Sequence, residues 1–471
     1  MAQTFFFYDL ETSGLNPRQD RIMQFAGQRT DMNLEPIGEP YNLLVMLNDD
    51  TLPSPDALMV TGITPQKTVE EGYTEAQFAR MLSEEIFTPD TIAVGFNNIR
   101  FDDEFIRHLL WRNFHDPYEW SWKDGRSRWD LLDVVRLTRA LRPEGINWPL
   151  DDKGEPSNRL ELITSANGIA HENAHDALAD VTALIAVTKL IKQKQPQLYD
   201  YLLKMRDKKV VQQLVNVDDK KPFVYASGRY DKEFAKTTVA FPLTTSRNGG
   251  VVVYDLRYDP TPFVGLSEEK LAAKIFASWE ERQAENFVKL PVKELQYNRC
   301  PAVAPLGVLE QGDGWQKISL DLKTVQKHQN ILLKHPDFAE KLRSIFENKP
   351  AFKKLPDPEA QLYDGFLNDR DRLRVEAVRN ADERELADFY PEFQDERLTP
   401  LLLHYKARNF PRSLSEDDLA QWEIWRAQHL QAQLPGFMAS LQRLASTATD
   451  EQQFILQELQ LWAEAVLPGS D

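Results

Sequence analysis

Strand-like and helix-like patterns of hydrophobic residues alternate through the first part of the chain. Compact apolar runs of the kind found in buried strands occupy residues 4–9, 21–29 and 91–95. Apolar residues recur at helical spacing in residues 74–86, 103–114, 129–140, 159–167 and 175–193, and the last range holds the strongest helix. A chain that alternates these two patterns is typical of an α/β fold.

The pattern changes after about residue 200. Short strand-like runs, separated by Gly, Asn and Pro, occupy residues 222–226, 238–244, 251–258 and 292–297. They predict a small barrel or sheet, interrupted by a helix over 268–282 and followed by a helix over 320–347. Pro350, Pro356 and Pro358 mark a linker. From Glu359 onward the pattern is helical and charged, and the tryptophans there are candidate core anchors, namely Trp422, Trp425 and Trp462.

The bulk composition restricts the class of protein. The chain has 471 residues, of which 42% are hydrophobic and 27% charged, as is ordinary for soluble proteins with large cores. A net charge of −17 argues at first against a nucleic-acid partner. However, residues 1–200 and 351–471 carry the acidic excess, whereas residues 201–350 carry an excess of base. The first part is therefore suited to cations and the middle to phosphates.

Other features favour the cytoplasm. Cys300 is the single cysteine, so no intrachain disulfide forms, which fits a reducing compartment. The first ten residues lack the basic and apolar regions of a signal peptide, and we find no apolar run long enough to span a bilayer. We therefore expect a cytoplasmic protein with no membrane partner.

Two acidic residues end the first predicted strand. Asp9 and Glu11 are two positions apart, so on a strand their carboxylates point to the same side. Oxygen ligands of this kind suit a divalent cation. Taken alone, the pair is more often solvated turn chemistry.

A second acidic group begins a predicted helix. Asp102 and Asp103 follow a strand-like run and precede helical spacing. The alternative function for such an acid is to cap the helix, where it suits the helix dipole. Asp130 lies at the start of another predicted helix, and we interpret it as a cap or as a group that supports a metal ligand, rather than as a direct ligand.

The third group combines a histidine with an acid. Asp180 occupies an otherwise apolar helix, where a buried charge is costly without a partner. His175 lies just before that helix, although a lone histidine there is usually a loop or capping residue. Together with the acids above, the two residues fit hydrolysis of a phosphodiester by two metal ions. The cations relieve repulsion among the carboxylates, and His175 is the candidate base near neutral pH.

Three motifs in this order resemble those of the DEDDh exonuclease superfamily, namely Asp9-x-Glu11, Asn98-x-x-Phe101-Asp102 and His175-x-Ala177-x-x-Asp180. Longer stretches resemble the bacterial exonuclease I family, namely residues 61–66, 95–104, 127–134, 140–149, 173–181 and 405–411. The resemblance therefore extends over essentially the whole chain and is strongest before residue 200.

The resemblance implies an α/β protein of three domains. These are an RNase H-like exonuclease domain over residues 1–195, an SH3-like β domain that binds DNA over 196–349, and a C-terminal α-helical domain over 350–471. The implied activity is processive 3′→5′ degradation of single-stranded DNA to 5′-mononucleotides, in DNA repair and recombination, by a monomer. The implied cofactor is Mg²⁺, two ions per site, with Mn²⁺ able to substitute.

Site residues carry over from the matching motifs. The implied metal ligands are Asp9, Glu11, Asp102 and Asp180, and the implied base is His175. Asp103 remains an alternative to Asp102. The implied substrate contacts are Glu11, Asn98 and Phe101.

The family also binds the acidic C-terminal tail of single-stranded DNA-binding protein. Arg142 and Tyr201 lie in stretches that resemble the family's and are candidates for that pocket, since a guanidinium is a good carboxylate partner. Alternatively, Arg142 forms an ordinary surface ion pair and Tyr201 packs a helix end. We expect DNA contacts from a basic group in the middle of the chain that includes two tyrosines, namely Lys204, Arg206, Lys208, Lys209, Lys220, Lys221, Tyr225, Arg229, Tyr230 and Lys232.

Two other functions compete with this one. A 3′ exoribonuclease or a polymerase-linked proofreader would share the chemistry, but those relatives resemble the chain only over its first 200 residues. A non-catalytic scaffold would have lost at least one ligand, whereas all five key positions are filled.

Overall fold

The computed structural model describes residues 2–171, 176–349 and 354–467. Within these ranges the chain forms ten strands and twenty α-helices. The strands are β1 Thr4–Thr12, β2 Ile22–Thr30, β3 Tyr41–Leu44, β4 Thr91–Gly95, β5 Ser127–Asp130, β6 Phe223–Ala226, β7 Thr237–Thr245, β8 Val251–Asp255, β9 Val292–Leu295 and β10 Ala302–Pro305.

The α-helices are α1 Pro55–Thr61, α2 Pro65–Glu71, α3 Glu75–Met81, α4 Asp102–Arg112, α5 Leu131–Leu141, α6 Leu160–Ala166, α7 Ala177–Lys194, α8 Pro196–Lys204, α9 Lys208–Leu214, α10 Thr261–Val264, α11 Glu268–Phe276, α12 Trp279–Arg282, α13 Gly314–Lys317, α14 Leu322–Lys334, α15 Pro336–Glu347, α16 Asp369–Asn380, α17 Glu383–Ala387, α18 Leu398–Asn409, α19 Glu416–Ala445 and α20 Asp450–Val466. A π-helical turn spans Leu82–Ile86, and 3₁₀ turns span Asn98–Arg100, Glu119–Ser121, Lys232–Phe234, Leu306–Glu310, Pro358–Asp364 and Pro411–Ser413. No helix in the described part of the chain is long and apolar enough to cross a membrane.

The first sheet has the order β3-β2-β1-β4-β5. β1 lies at its centre, antiparallel to β2 and parallel to β4. The three phenylalanines that begin β1 are fully buried, because both faces of this strand are covered. The apolar run of the sequence therefore becomes the central strand, and the acids that follow it lie where the run ends.

The chain divides into two compact units, and the first contains both the beginning and the end of the chain. It comprises the described residues within 1–128, 171–185 and 353–471. The helical end shares cores with the first sheet and its helices: Met23 and Leu58 pack in one cluster with Leu430 and Leu459. Trp111 packs in another cluster with residues of α16–α18. These shared cores mean that the C-terminal helices fold as part of the same unit as the first sheet.

The second unit comprises the described residues within 129–170 and 186–352. Its sheet has the order β10-β6-β7-β8-β9 and is antiparallel at every paired edge that the structure describes. Alternate residues of these strands enter a core with Met205, Val211 and Val215. This unit holds the SH3-like β domain that the sequence predicts. The predicted domain boundaries at residues 195 and 349 stay predictions.

Several element boundaries differ from those predicted. Residues 320–347 form two helices, because Pro336 cannot donate the hydrogen bond that would continue α14 and instead begins α15. Residues 268–282 also form two helices, since Ser278 caps a new one. The short strands β3, β5 and β10 were not predicted, and the helix predicted from residue 129 begins at Leu131. Asp130 caps α5 as predicted, accepting from the amide of Leu132 at 3.0 Å.

Candidate active site

Three acidic side chains of the first unit meet beside the central strand. Asp9 and Glu11 lie on β1, and Asp180 lies in the first turn of α7. Their carboxylate oxygens are all within 4.8 Å of one another. Each side chain is half-buried, so the cluster is neither a solvated surface patch nor a closed core. The structure thus brings together three of the four predicted metal ligands directly.

The electrostatics of this cluster disfavour three negative charges. Burial raises the pKa of Asp9 well above its ordinary value, and the charges of Asp102, Glu11 and Asp180 raise it further. Burial, followed by the charges of Asp180, Asp102 and Asp176, raises the pKa of Glu11 to about 8. Every charged neighbour that shifts these two pKa values is therefore acidic, and each favours the protonated form.

A divalent cation fits this donor set. The ligand atoms are all carboxylate oxygens, which are the donors that Mg²⁺, Mn²⁺ and Ca²⁺ prefer. A bound cation would reverse the repulsion that raises the pKa values, because it favours the charged form of every acid around it. The residues present are thus consistent with a metal centre.

The fourth predicted ligand, Asp102, differs sharply from its neighbour Asp103. The charge of Asp102 raises the pKa values of both Asp9 and Glu11, so its carboxylate lies near the cluster. Asp103 is fully buried and accepts hydrogen bonds from Tyr8 and Arg128. The contacts of Asp103 therefore support the choice of Asp102 as the ligand, which stays a prediction.

The predicted base, His175, lies outside the described residues. Sequence reasoning missed another histidine four positions earlier. The Nε2 atom of His171 lies 2.6 Å from Oδ1 of Asp180, and its side chain is almost fully buried. The signal available in the sequence was the presence of two histidines just before an apolar helix that carries an acid. Asp176 caps that helix, accepting from the amides of Leu178 and Ala179.

The two further predicted substrate residues point largely into the protein. Asn98 is fully buried, and its Nδ2 donates to Tyr8 at 3.2 Å and to Asp103 at 3.3 Å. Phe101 is half-buried, and its ring centre lies 5.0 Å from that of Phe105 in the core of the first unit. Contact of either side chain with substrate stays a prediction.

The two predicted partner-binding residues belong to the second unit. Arg142 donates to the carbonyl oxygens of Leu141 and Val308 and to Oε1 of Gln311, so its described contacts are with carbonyl groups. Tyr201 packs against the core of the second unit, and burial raises its pKa to about 12. Its hydroxyl has no hydrogen-bond partner among the described residues. Binding of a partner by these residues stays a prediction.

The predicted basic group is exposed, apart from its aromatic members and Arg206, which is half-buried. Seven of its cations are exposed, namely Lys204, Lys208, Lys209, Lys220, Lys221, Arg229 and Lys232. Tyr225 instead is buried, and Nζ of Lys293 lies 4.2 Å from its ring centre. This tyrosine therefore offers no free face for a nucleic-acid base.

Three family models match consecutive parts of the chain. The model described as "Exonuclease" matches residues 6–188, "Exonuclease I SH3-like domain" matches residues 206–348, and "Exonuclease I C-terminal domain" matches residues 356–466. Together they cover most of the chain and include both units.

Curated relatives are similar over almost their whole length. A protein of Haemophilus influenzae named exodeoxyribonuclease I is 40% identical over 450 residues, which are 95% of each chain. The exodeoxyribonuclease I of Escherichia coli is 39% identical over 465 residues, which are 98% of this chain and 97% of that protein.

Solved structures agree with the whole fold. Escherichia coli exonuclease I in complex with a dA16 oligonucleotide is 38% identical, with a TM-score of 0.93, covering 99% of this chain and 100% of that one. The zinc-bound form of the Escherichia coli enzyme's complex with single-stranded DNA has a TM-score of 0.94 at 38% identity, with the same coverage. A moderately thermophilic exonuclease I from Methylocaldum szegediense has a TM-score of 0.94 at 39% identity, again with that coverage.

Proposed function

Since this chain belongs to the exonuclease I family and is an exodeoxyribonuclease, we propose that it degrades single-stranded DNA from the 3′ end to 5′-mononucleotides. The hydrolysis would depend on two divalent metal ions, with Mg²⁺ as the natural cofactor and Mn²⁺ as a substitute. The observation that carries the proposal is the cluster of Asp9, Glu11 and Asp180, whose oxygens lie within 4.8 Å of one another. Burial and neighbouring charges raise the pKa values of Asp9 and Glu11, and a bound cation would favour their charged forms at neutral pH.

In this proposal, acidic side chains bind the metal ions and a histidine accepts a proton. Asp9, Glu11, Asp102 and Asp180 would hold the ions. When bound, such ions neutralise charge on the phosphate and lower the pKa of the attacking water. His175 would accept a proton from the attacking water, because the ordinary pKa of an imidazole lies near neutral pH. His171 holds the carboxylate of Asp180 in place through its 2.6 Å contact.

The second unit would supply the contacts that hold single-stranded DNA. Exposed lysines near residues 204–232 provide charge for the phosphate backbone in a sequence-independent way. The complexes of the Escherichia coli enzyme contain single-stranded DNA, which supports the same substrate here. Processive digestion and a role in DNA repair and recombination belong to this proposal.

One partner is included in the proposal. Arg142 and Tyr201 would contact the acidic C-terminal tail of single-stranded DNA-binding protein, since a guanidinium binds carboxylates well. The enzyme would act as a monomer in the cytoplasm. A tail peptide that binds the wild-type chain and the Arg142→Ala variant equally would remove Arg142 from this role.

Labelled oligonucleotides test the central proposal. A single strand labelled at its 3′ end and another labelled at its 5′ end are incubated with the enzyme, with Mg²⁺ or with a chelator. We expect immediate release of the 3′ label as a mononucleotide, late release of the 5′ label, and no release with chelator. Early release of the 5′ label, or release without metal, would contradict the proposal.

Two controls sharpen this experiment. A matched RNA strand distinguishes a deoxyribonuclease from an exoribonuclease, which would digest both. Asp9→Ala should abolish release, whereas Asp337→Ala, which removes an exposed acid of the second unit, should leave it unchanged.

A further inference from the structure

One buried carboxylate connects three elements of the first unit. Asp103, in the first turn of α4, has no exposed surface. It accepts hydrogen bonds from the hydroxyl of Tyr8 on β1, from Nδ2 of Asn98 in the turn before α4, and from the guanidinium of Arg128 on β5. Asn98 also donates to the Tyr8 hydroxyl at 3.2 Å, which closes a triangle of polar groups.

Two members of this cluster are chain neighbours of the proposed metal ligands. Tyr8 directly precedes Asp9, and Asp103 directly follows Asp102. The described parallel pairing of β1 with β4 runs from Thr4 to Phe7 and ends just before Tyr8. Beyond that point the hydrogen bond between Tyr8 and Asp103 joins the strand that carries Asp9 to the helix that carries Asp102.

The charges of the two adjacent aspartates are used differently. Arg128 and Asp103 are both buried and form an ion pair, so the charge of Asp103 is met within the protein. The charge of Asp102, in contrast, raises the pKa values of Asp9 and Glu11. Asp103 accepts three hydrogen bonds, one of them within an ion pair, so its carboxylate has little capacity left to bind a cation.

We propose that Asp103, together with Tyr8 and Arg128, is a positioning cluster that fixes Asp102 opposite Asp9 for metal binding. This inference rests on the proposed function, because it takes Asp102 and Asp9 as ligands. Groups that orient metal ligands through hydrogen bonds typically change metal affinity about 10- to 100-fold when they are removed. The cluster also determines which of two adjacent acids serves as the ligand.

The test measures metal affinity separately from folding. Tyr8→Phe removes one hydroxyl and keeps the buried ring, and Asp103→Asn keeps the shape of the side chain. For each full-length variant, Mn²⁺ alone is titrated by calorimetry, and the Mg²⁺ concentration for half-maximal digestion of single-stranded DNA is measured. We expect the dissociation constant for Mn²⁺ and the half-maximal Mg²⁺ concentration each to rise about tenfold. Digestion should recover substantially at high Mg²⁺, and the KM for DNA should stay unchanged. A merely structural residue would lower the melting temperature without moving the metal dependence of the folded enzyme.

Tyr254→Phe is the matched control. Tyr254 is fully buried on β8 of the second unit, and its hydroxyl has no hydrogen-bond partner within the described residues. Removal of this hydroxyl should leave the Mn²⁺ affinity and the Mg²⁺ dependence of digestion at their wild-type values.

The possible outcomes separate this inference from the proposed function. If the wild-type chain digests DNA with metal, but Tyr8→Phe and Asp103→Asn both bind Mn²⁺ like the wild type, the positioning role is wrong and the function stands. If Asp103→Asn loses all metal binding while Asp102→Asn retains it, Asp103 is itself the ligand and the inference fails. If the wild-type chain does not digest single-stranded DNA with metal, the proposed function fails. Should Asp103→Asn not fold, Tyr8→Phe alone decides the positioning role.

Discussion

The guanidinium of Arg21 donates to the carboxylate of Glu359 at 2.9 Å, although 338 positions separate the two residues. Arg408 lies 2.6 Å from the same carboxylate and also 2.6 Å from Asp50. These side chains are almost fully buried. Burial opposes ionisation of Glu359, but the charges of Arg408 and Arg21 outweigh it and hold its pKa well below the ordinary value.

Glu359→Gln should destabilise the first unit strongly. The substitution leaves the guanidinium groups of Arg21 and Arg408 buried with less opposing charge, and breaking such a pair costs about 3–5 kcal/mol. Urea unfolding followed by tryptophan fluorescence measures the loss. Glu119→Gln removes an exposed ion pair with Lys123 and should cost no more than about 0.5 kcal/mol. If the two variants lose the same free energy of unfolding, the buried ion pairs of Glu359 contribute no more to stability than the exposed pair.

Asp9→Asn should separate activity from stability. It removes one carboxylate from the cluster, so metal-dependent digestion should fall at least about 100-fold. Because the wild-type acids repel one another without metal, the metal-free variant should be more stable by about 1 kcal/mol. Melting temperatures in chelator test this, with Asp337→Asn as the exposed control. A less stable Asp9→Asn would argue against repulsion in the cluster.

The raised pKa of Glu11 predicts how metal and pH act together. Its pKa is about 8 in the folded metal-free protein against an ordinary value of 4.5. The folded state therefore binds more protons than the unfolded state between these values, and its stability falls as pH rises from 4.5 to about 8. Metal binding below pH 8 should release protons, since the ligands must ionise. Calorimetry of Mn²⁺ binding in buffers with different ionisation enthalpies measures the release, which should decrease as pH rises through about 8.

Acid should destabilise the first unit through His108. Burial, with a contribution from Arg112, lowers its pKa to about 3 from an ordinary value of 6.5. Between these values the unfolded state binds the extra proton, so stability falls as pH decreases, by up to about 1.4 kcal/mol per pH unit. His108→Gln should flatten this slope in urea unfolding at pH 4–7. At pH 8 the two proteins should differ only by a packing cost, and an unchanged slope at low pH would show that His108 does not contribute.

The meeting of Asp9, Glu11 and Asp180 was predictable because its signals are local. A spacing of two on a strand indicated that Asp9 and Glu11 share a side, and an acid in an apolar helix singled out Asp180. The choice between Asp102 and Asp103 was not decidable locally, because both begin the same helix. What distinguishes them is contact with Tyr8, 95 positions away, and Arg128, 25 positions away.

The fold was predictable where the spacing of hydrophobic residues alone determines whether a segment forms a strand or a helix. β4 has the predicted bounds, since its five residues are all buried. The two helices within residues 320–347 were merged because Pro336 was not weighed as a helix start. The packing of the C-terminal helices with the first sheet depends on side chains hundreds of positions apart, such as Leu58 and Leu430, which no local pattern reveals.

A first unit built from both ends of the chain has a consequence during synthesis. While the ribosome is still translating the middle of the protein, Arg21 and Asp50 have emerged, but Glu359 and Arg408 have not yet been made. Their burial must therefore wait until residue 408 has been synthesised. A nascent or prematurely terminated product that ends before residue 359 would lack this packing, so the charges of Arg21 and Asp50 would stay unburied in it.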